Sequence, residues 1–110
     1  MAPLQKEKYM SDPIQQKIKE TVEANPVVIF MKGTPEAPQC GFSSQAVKCL
    51  KSAGANVVGV NVLADPAIRQ GIKAFTNWPT IPQIFIKGKF IGGSDIVSEM
   101  FESGELQKLL

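Results

Sequence analysis

The chain has 110 residues, 44% of them hydrophobic and 20% charged, with a formal charge of +2; this fits one ordinary globular domain with no charge surplus for a nucleic-acid stripe or a polybasic membrane anchor. It contains no His and only 2 Cys, which excludes histidine acid–base chemistry, Ser–His and Cys–His nucleophile pairs, and any zinc ribbon or four-thiolate cluster built from a single chain. No apolar run reaches the ~20 residues of a membrane-spanning helix, so neither nucleic acid nor a membrane is an expected partner, and the chemistry left rests on a thiol, carboxylates, lysines and arginine.

Residues 1–11 have no apolar period and read as a disordered tail ahead of a single domain over residues 12–110. They lack the Arg-rich, acid-poor amphipathicity of an organelle transit peptide and the apolar stretch of a secretion signal. Ser11-Asp12-Pro13 is a cap followed by Pro at a first helical position, and Ile14, Ile18 and Val22 give that helix one apolar stripe before Asn25-Pro26 ends it. Val27 to Met31 is an unbroken apolar run of strand length, the pattern of a strand buried on both faces. Lys32 to Gln39 contains Gly33, Pro35 and Pro38 and is a loop. A helix is expected from about Gly41 to Ala53, with Phe42, Ala46, Val47 and Leu50 toward the core and Gly54 as its stop. Val57 to Val62 reads as a second strand. Asp65-Pro66 repeats the cap-then-Pro signature and opens a helix to about Thr76. Ile84–Ile86 and Phe90-Ile91 flank Lys87-Gly88-Lys89, a hairpin signal. Ser94-Asp95 caps a helix to about Glu102, and Gly104 separates a final turn ending at Leu110. The order α-β-α-β-α-β-β-α, with room for one more terminal helix, predicts an α/β domain with a small mixed sheet and helices on both faces.

Cys40 sits where the Pro-punctuated loop becomes a helix. A helix N-terminus offers free N–H groups and the positive end of the macrodipole, and both favour thiolate over thiol. Lys32, just after a buried strand, can return to the same corner. Two readings stand open: a nucleophilic or metal-binding sulfur, or a small buried hydrophobe. A CxxC redox motif would have its second thiol three residues on, where this chain has Ser43, so no disulfide can form within the motif. Cys49 lies nine residues along the same helix, on the opposite face and ~13 Å up the axis, whereas a disulfide needs Cα atoms within about 7 Å. Cys49 is read as a packed or half-buried helix residue.

Lys32-Gly33-Thr34-Pro35, Cys40-Gly41-Phe42-Ser43, Trp78-Pro79-Thr80-Ile81-Pro82-Gln83 and Gly92-Gly93-Ser94-Asp95 occur in that order. Together they resemble the monothiol, CGFS-type glutaredoxins, and the likeness spans roughly Asp12 to Leu110. It implies a thioredoxin-like fold, a central four-stranded mixed sheet flanked by helices on both faces. It implies that Cys40 is the active-site cysteine and a ligand of a 2Fe-2S cluster shared with a second chain. It also implies that Lys32 is the lysine beside the cysteine, and that Arg69 and Lys73 hold the glycine carboxylate of glutathione. Ile81, before a cis Pro82, matches the position that pairs with the cysteinyl part, and Ser94 and Asp95 match the γ-glutamyl end. The chemistry agrees: Lys32, Arg69 and Lys73 can neutralise one carboxylate, and the free N–H groups at a helix start suit the other. Asp95 can pair with the α-ammonium. Without the motif, Arg69 and Lys73 would be a solvated helix face, Ser94-Asp95 plain caps and Gly92-Gly93 a turn. Trp78 is read as packing, with Phe75 as its neighbour. Many family members have a second Cys where this chain has Ser94, so a disulfide between that position and Cys40 is not available here.

The resemblance implies two functions. In the first the protein is an iron–sulfur carrier. A 2Fe–2S cluster needs four ligands, and one chain offers Cys40 alone. Glutathione supplies a second thiolate, and a second chain with its own glutathione supplies the rest. The apo form would be monomeric and the holo form a cluster-bridged homodimer, or a heterodimer with a BolA-like protein, that delivers the cluster to apo iron–sulfur proteins. In the second the protein is a glutathione-dependent oxidoreductase that removes glutathione from protein mixed disulfides by the monothiol route. Its likeness to the single-domain branch, with Ser at position 94, places it in the mitochondrial matrix, with cytosol and plastid as alternatives.

Overall fold

The computed structural model describes residues 12–110; the expected tail over residues 1–11 lies outside the described residues. The elements run α1 (Pro13–Ala24), β1 (Val27–Met31), α2 (Gly41–Ser52), β2 (Val58–Asn61), α3 (Pro66–Thr76), β3 (Gln83–Ile86), β4 (Lys89–Gly92), α4 (Ser94–Ser103) and α5 (Glu105–Leu109). The strands form one sheet in the order β2-β1-β3-β4. β1 pairs parallel with β2 and antiparallel with β3, and β3 pairs antiparallel with β4. This is the mixed four-stranded sheet the sequence predicts, and the extra terminal helix is present as α5.

The unbroken apolar run of β1 is explained by burial on both faces. Val27, Ile29 and Met31 join Ala46, Val47, Leu50, Ile84, Ile86, Val97 and Leu106 in one core cluster. Val28 and Phe30 point the other way, to Ile18, Val22, Val62, Ile68, Ile72 and Phe85. Alternate residues of a strand face opposite sides, so α2, α4 and α5 cover one face of the sheet and α1 and α3 the other. β2 is an edge strand, half-buried to exposed along its length, and is shorter than the run Val57 to Val62 suggests.

Both Asp-Pro signals start helices as expected. Asp12 Oδ1 accepts from the Ile14 and Gln15 amides at 2.9 and 3.2 Å. Asp65 Oδ1 accepts from Ala67 and Ile68 at 3.1 and 3.2 Å. Three expectations need correction. Phe42 is 64% exposed rather than in the core; the buried stripe of α2 is Ser43, Ala46, Val47 and Leu50, so a small polar residue takes the inward place at the helix start. Trp78 packs edge-on against Phe90 at 5.7 Å, while Phe75 pairs with Phe85. Ser94 does not cap α4: Gly93 is the N-cap and makes no side-chain cap bond, and Ser94 is the first helical residue.

The registers gather one end of the molecule. Met31 lies opposite Asn61, Phe30 opposite Gln83, and Ile84 opposite Gly92. The loop after β1, the start of α2, the segment before β3 and the start of α4 therefore all emerge at the same edge of the core.

Candidate active site

Cys40 is the N-cap of α2, in an extended conformation, and is half-buried. Its thiol is held below the ordinary cysteine range. The Ser43 amide is the largest cause; burial opposes it; the Phe42 amide, the Lys32 ammonium and the Ser43 hydroxyl add to the lowering. The sulfur makes no close capping hydrogen bond, so its stabilisation comes from amides aimed at it across the first helical turn and from a nearby cation. Ser43 is fully buried. Its hydroxyl accepts from the Lys32 amide at 3.2 Å, which ties the start of α2 to the residue that supplies the cation.

The loop between β1 and α2 is more ordered than its Gly and Pro content suggests. The Gln39 amide donates to Lys32 O at 2.8 Å, and Thr34 and Ala37 exchange amide–carbonyl bonds at 3.0 and 3.3 Å. Gly33 donates to Asn61 Oδ1 at 2.9 Å. The Pro35 ring lies over β2 so closely that a Cβ on Gly59 would stand 2.4 Å from it. Lys32 thus projects from a small hairpin fixed at both ends.

Beside this corner is a cleft of about 460 Å³ lined by Lys32, Phe42, Arg69, Lys73, Trp78–Pro82 and Gly93–Ile96. Its volume falls within the roughly 300–1,000 Å³ of small-molecule sites. Six of the seven residues singled out from the sequence line it: Lys32, Arg69, Lys73, Ile81, Ser94 and Asp95. Cys40 is not in the lining; Lys32, which lines the cleft and acts on the sulfur, links the two. Arg69 and Lys73, one turn apart on α3, are half-buried and face the cleft rather than forming a plain solvated face. The Ile81–Pro82 bond is cis. Ser94 is buried and Asp95 exposed at the first turn of α4, whose free amides open on the cleft. Phe42, Trp78 and Ile96 were not expected in the lining; the contiguous motif from Trp78 to Gln83 was the signal for that wall.

Cys49 is half-buried on α2 beside the core, with its sulfur 3.8 Å from the Ser98 hydroxyl of α4. Among the described residues no three His, Cys, Asp or Glu side chains converge as a metal site. No helix among them is long and apolar enough to cross a membrane.

A glutaredoxin family model matches residues 27–91. The chain is 50% identical over 101 residues to an uncharacterized monothiol glutaredoxin, ycf64-like, of Synechocystis, covering 92% of this chain and 94% of the relative. It is 49% identical over 105 residues to monothiol glutaredoxin-5, mitochondrial, of Saccharomyces cerevisiae, covering 93% of this chain and 70% of that one. A crystal structure of a buckwheat glutaredoxin–glutathione complex superposes with a TM-score of 0.77 at 33% identity, covering 86% of this chain and 84% of that one.

Proposed function

The chain belongs to the glutaredoxin family, and on that premise we propose that it binds glutathione in this cleft and coordinates a glutathione-ligated 2Fe-2S cluster between two chains, serving iron–sulfur cluster biogenesis and transfer. One observation carries the reading: a single thiol held below its ordinary pKa stands next to a cleft lined by three cations and by the first turn of a helix. Glutathione has a thiol, an ammonium and two carboxylates. Arg69, Lys73 and Lys32 suit the glycine carboxylate, the first turn of α4 suits the γ-glutamyl carboxylate, and Asp95 suits the α-ammonium. Ile81 presents its backbone to the cysteinyl part. The buckwheat complex supports glutathione as the ligand.

The donor set fits a cluster only if it is shared. Cys40 is one thiolate, no three His, Cys, Asp or Glu side chains converge among the described residues, and four ligands are needed; two chains and two glutathiones complete them. A cluster so held is exposed and easily released, which suits delivery to apo-proteins. The apo protein is proposed to be monomeric, with a BolA-like protein as an alternative second chain and the mitochondrial matrix as compartment, by similarity to the yeast relative. Reconstitution with iron, sulfide and glutathione tests this: a visible cluster spectrum should appear together with a doubling of mass. A protein that stays colourless and monomeric would sink the carrier reading.

The lowered thiol supports a second reading, deglutathionylation. The Cys40 thiolate attacks the glutathione sulfur of a protein mixed disulfide, and the protein thiolate leaves. A glutathione thiolate then attacks the Cys40 mixed disulfide, which releases glutathione disulfide and restores the Cys40 thiolate. No second protein thiol is needed. Efficient turnover of a small glutathione mixed disulfide by the apo protein would favour this reading over the carrier.

A further inference from the structure

One wall of the cleft is not a helix or a strand but the segment from Trp78 to Pro82. Such a segment has no ladder of its own to fix it, so its carbonyls must be satisfied from elsewhere. Gln83, the first residue of β3, is fully buried. Its Nε2 donates to Trp78 O at 2.9 Å and to Thr80 O at 3.2 Å. Its Oε1 accepts from the Thr76 hydroxyl at 2.7 Å, closer than the other acceptor of that proton, Ile72 O at 3.1 Å, and the Thr76 oxygen in turn accepts from the Trp78 amide at 3.1 Å. Both amide protons and the amide oxygen are therefore used. The direction of the amide is fixed, since a flipped one would set its oxygen against two carbonyls.

We infer that Gln83, oriented by Thr76, is the positioning residue that holds the Trp78–Pro82 wall in its ligand-binding form. It touches no ligand; it acts through Trp78 and Thr80, which line the cleft. The carbonyls of that wall have a buried donor, so the wall is set before a ligand arrives and its ordering does not have to be met on binding. The requirement is for an amide: a carboxylate of the same size has no proton for either carbonyl. The inference rests on the cleft being the glutathione site, but its first readout does not.

The test uses Gln83→Glu, Thr76→Val and Thr76→Ser. Trp78 is the single Trp of the chain, so its fluorescence and its quenching by acrylamide report the wall directly, without ligand. Glutathione affinity by calorimetry and the pH profile of Cys40 alkylation are measured on the same samples. Gln83→Glu and Thr76→Val should make Trp78 more accessible to quencher and weaken glutathione binding by roughly five- to ten-fold, the scale of one or two buried hydrogen bonds. The alkylation profile should stay in place, because the sulfur is held by α2 and Lys32. Thr76→Ser keeps the hydroxyl and should bind within about two-fold of the parent. If Gln83→Glu does not fold, Thr76→Val, which leaves the buried amide in place, decides the matter. Unchanged quenching in Thr76→Val, or a loss of affinity matched by Thr76→Ser, overturns the inference. A parent that fails to bind glutathione would instead remove the functional reading, and Trp78 accessibility alone would still decide the part played by Gln83.

Discussion

The Cys40 sulfur draws on amides that no side-chain substitution removes and on two side chains that can be removed. The Lys32 charge contributes more than the Ser43 hydroxyl. Only the thiolate is nucleophilic, so alkylation accelerates as pH rises through the thiol pKa, and a lowered pKa brings that rise to lower pH. Lys32→Ala should move the alkylation profile to higher pH, and Ser43→Ala should move it in the same direction by less. Equal shifts, or none with Lys32→Ala, would contradict the assignment. Ser43→Ala has a second consequence, since the Lys32 amide then loses its partner in a part-buried place. A cost of about 1–3 kcal/mol is expected in denaturant unfolding. Arg69→Ala should behave differently. Charge-assisted contacts to a carboxylate are worth about 1.5–3 kcal/mol when well made and less when solvated. Glutathione binding should weaken by roughly ten-fold, less at high salt, with the Cys40 profile unmoved. A shift in that profile as large as that of Lys32→Ala would place Arg69 at the sulfur instead.

Helices α1 and α3 cover one face of the sheet through a contact that depends on Gly71. A Cβ there would stand 2.4 Å from Ile14 Cγ2 and 3.1 Å from Ile18 Cδ1, and the Gly71 carbonyl accepts from the Gln15 side-chain Nε2 at 2.9 Å. On propensity alone, Gly→Ala inside a helix gains up to ~1 kcal/mol. Overpacking a close contact costs about 1–3 kcal/mol, and here the obstacle is a Cβ-branched side chain next to its own backbone. Gly71→Ala should therefore lower the melting temperature; an unchanged or raised value would show that α1 can move away at little cost. Elements of this kind were legible in the sequence because their signals are local: two Asp-Pro caps, the unbroken run of β1, and the Lys87-Gly88 turn. Phe42 was misread because apolar character suggested the core, while the surface it meets is the cleft. Trp78 was assigned the wrong neighbour because the choice between Phe75 and Phe90 is made by strand pairing, which local pattern does not contain. The grip of Gln83 on the wall was hidden for the same reason: it is a tertiary hydrogen-bond network built on one polar residue at a strand start.

At the scale of the whole molecule, the site looks outward. Phe42, Trp78 and Ile96 remain exposed around the cleft, and Cys40 stands at its margin rather than in its depth. The site residues named from sequence gather here because four chain segments end at one edge of the sheet and α3 adds Arg69 and Lys73 to the same cleft, which the family motifs conveyed and composition could not. A single thiol at such an edge would make the proposed cluster assembly depend on molecules that the chain does not contain. On the proposed function glutathione supplies two of the four cluster ligands, so the holo-dimer should form with a steep dependence on free glutathione, and its removal should return colourless monomer. At fixed protein, iron and sulfide, and well below saturation, a logarithmic plot of cluster formed against glutathione should have a slope of about two. Cys40→Ser should abolish assembly, whereas Cys49→Ser should preserve it, since that sulfur lies against Ser98 between α2 and α4. Glutathione-independent assembly in the parent, or full assembly in Cys40→Ser, would mean that other ligands hold the cluster. Arg69→Ala links the scales: by lowering glutathione affinity it should move the assembly curve to higher glutathione by about the same factor as the binding constant, without changing its slope. A changed slope would mean that Arg69 acts on the contact between chains and not through glutathione.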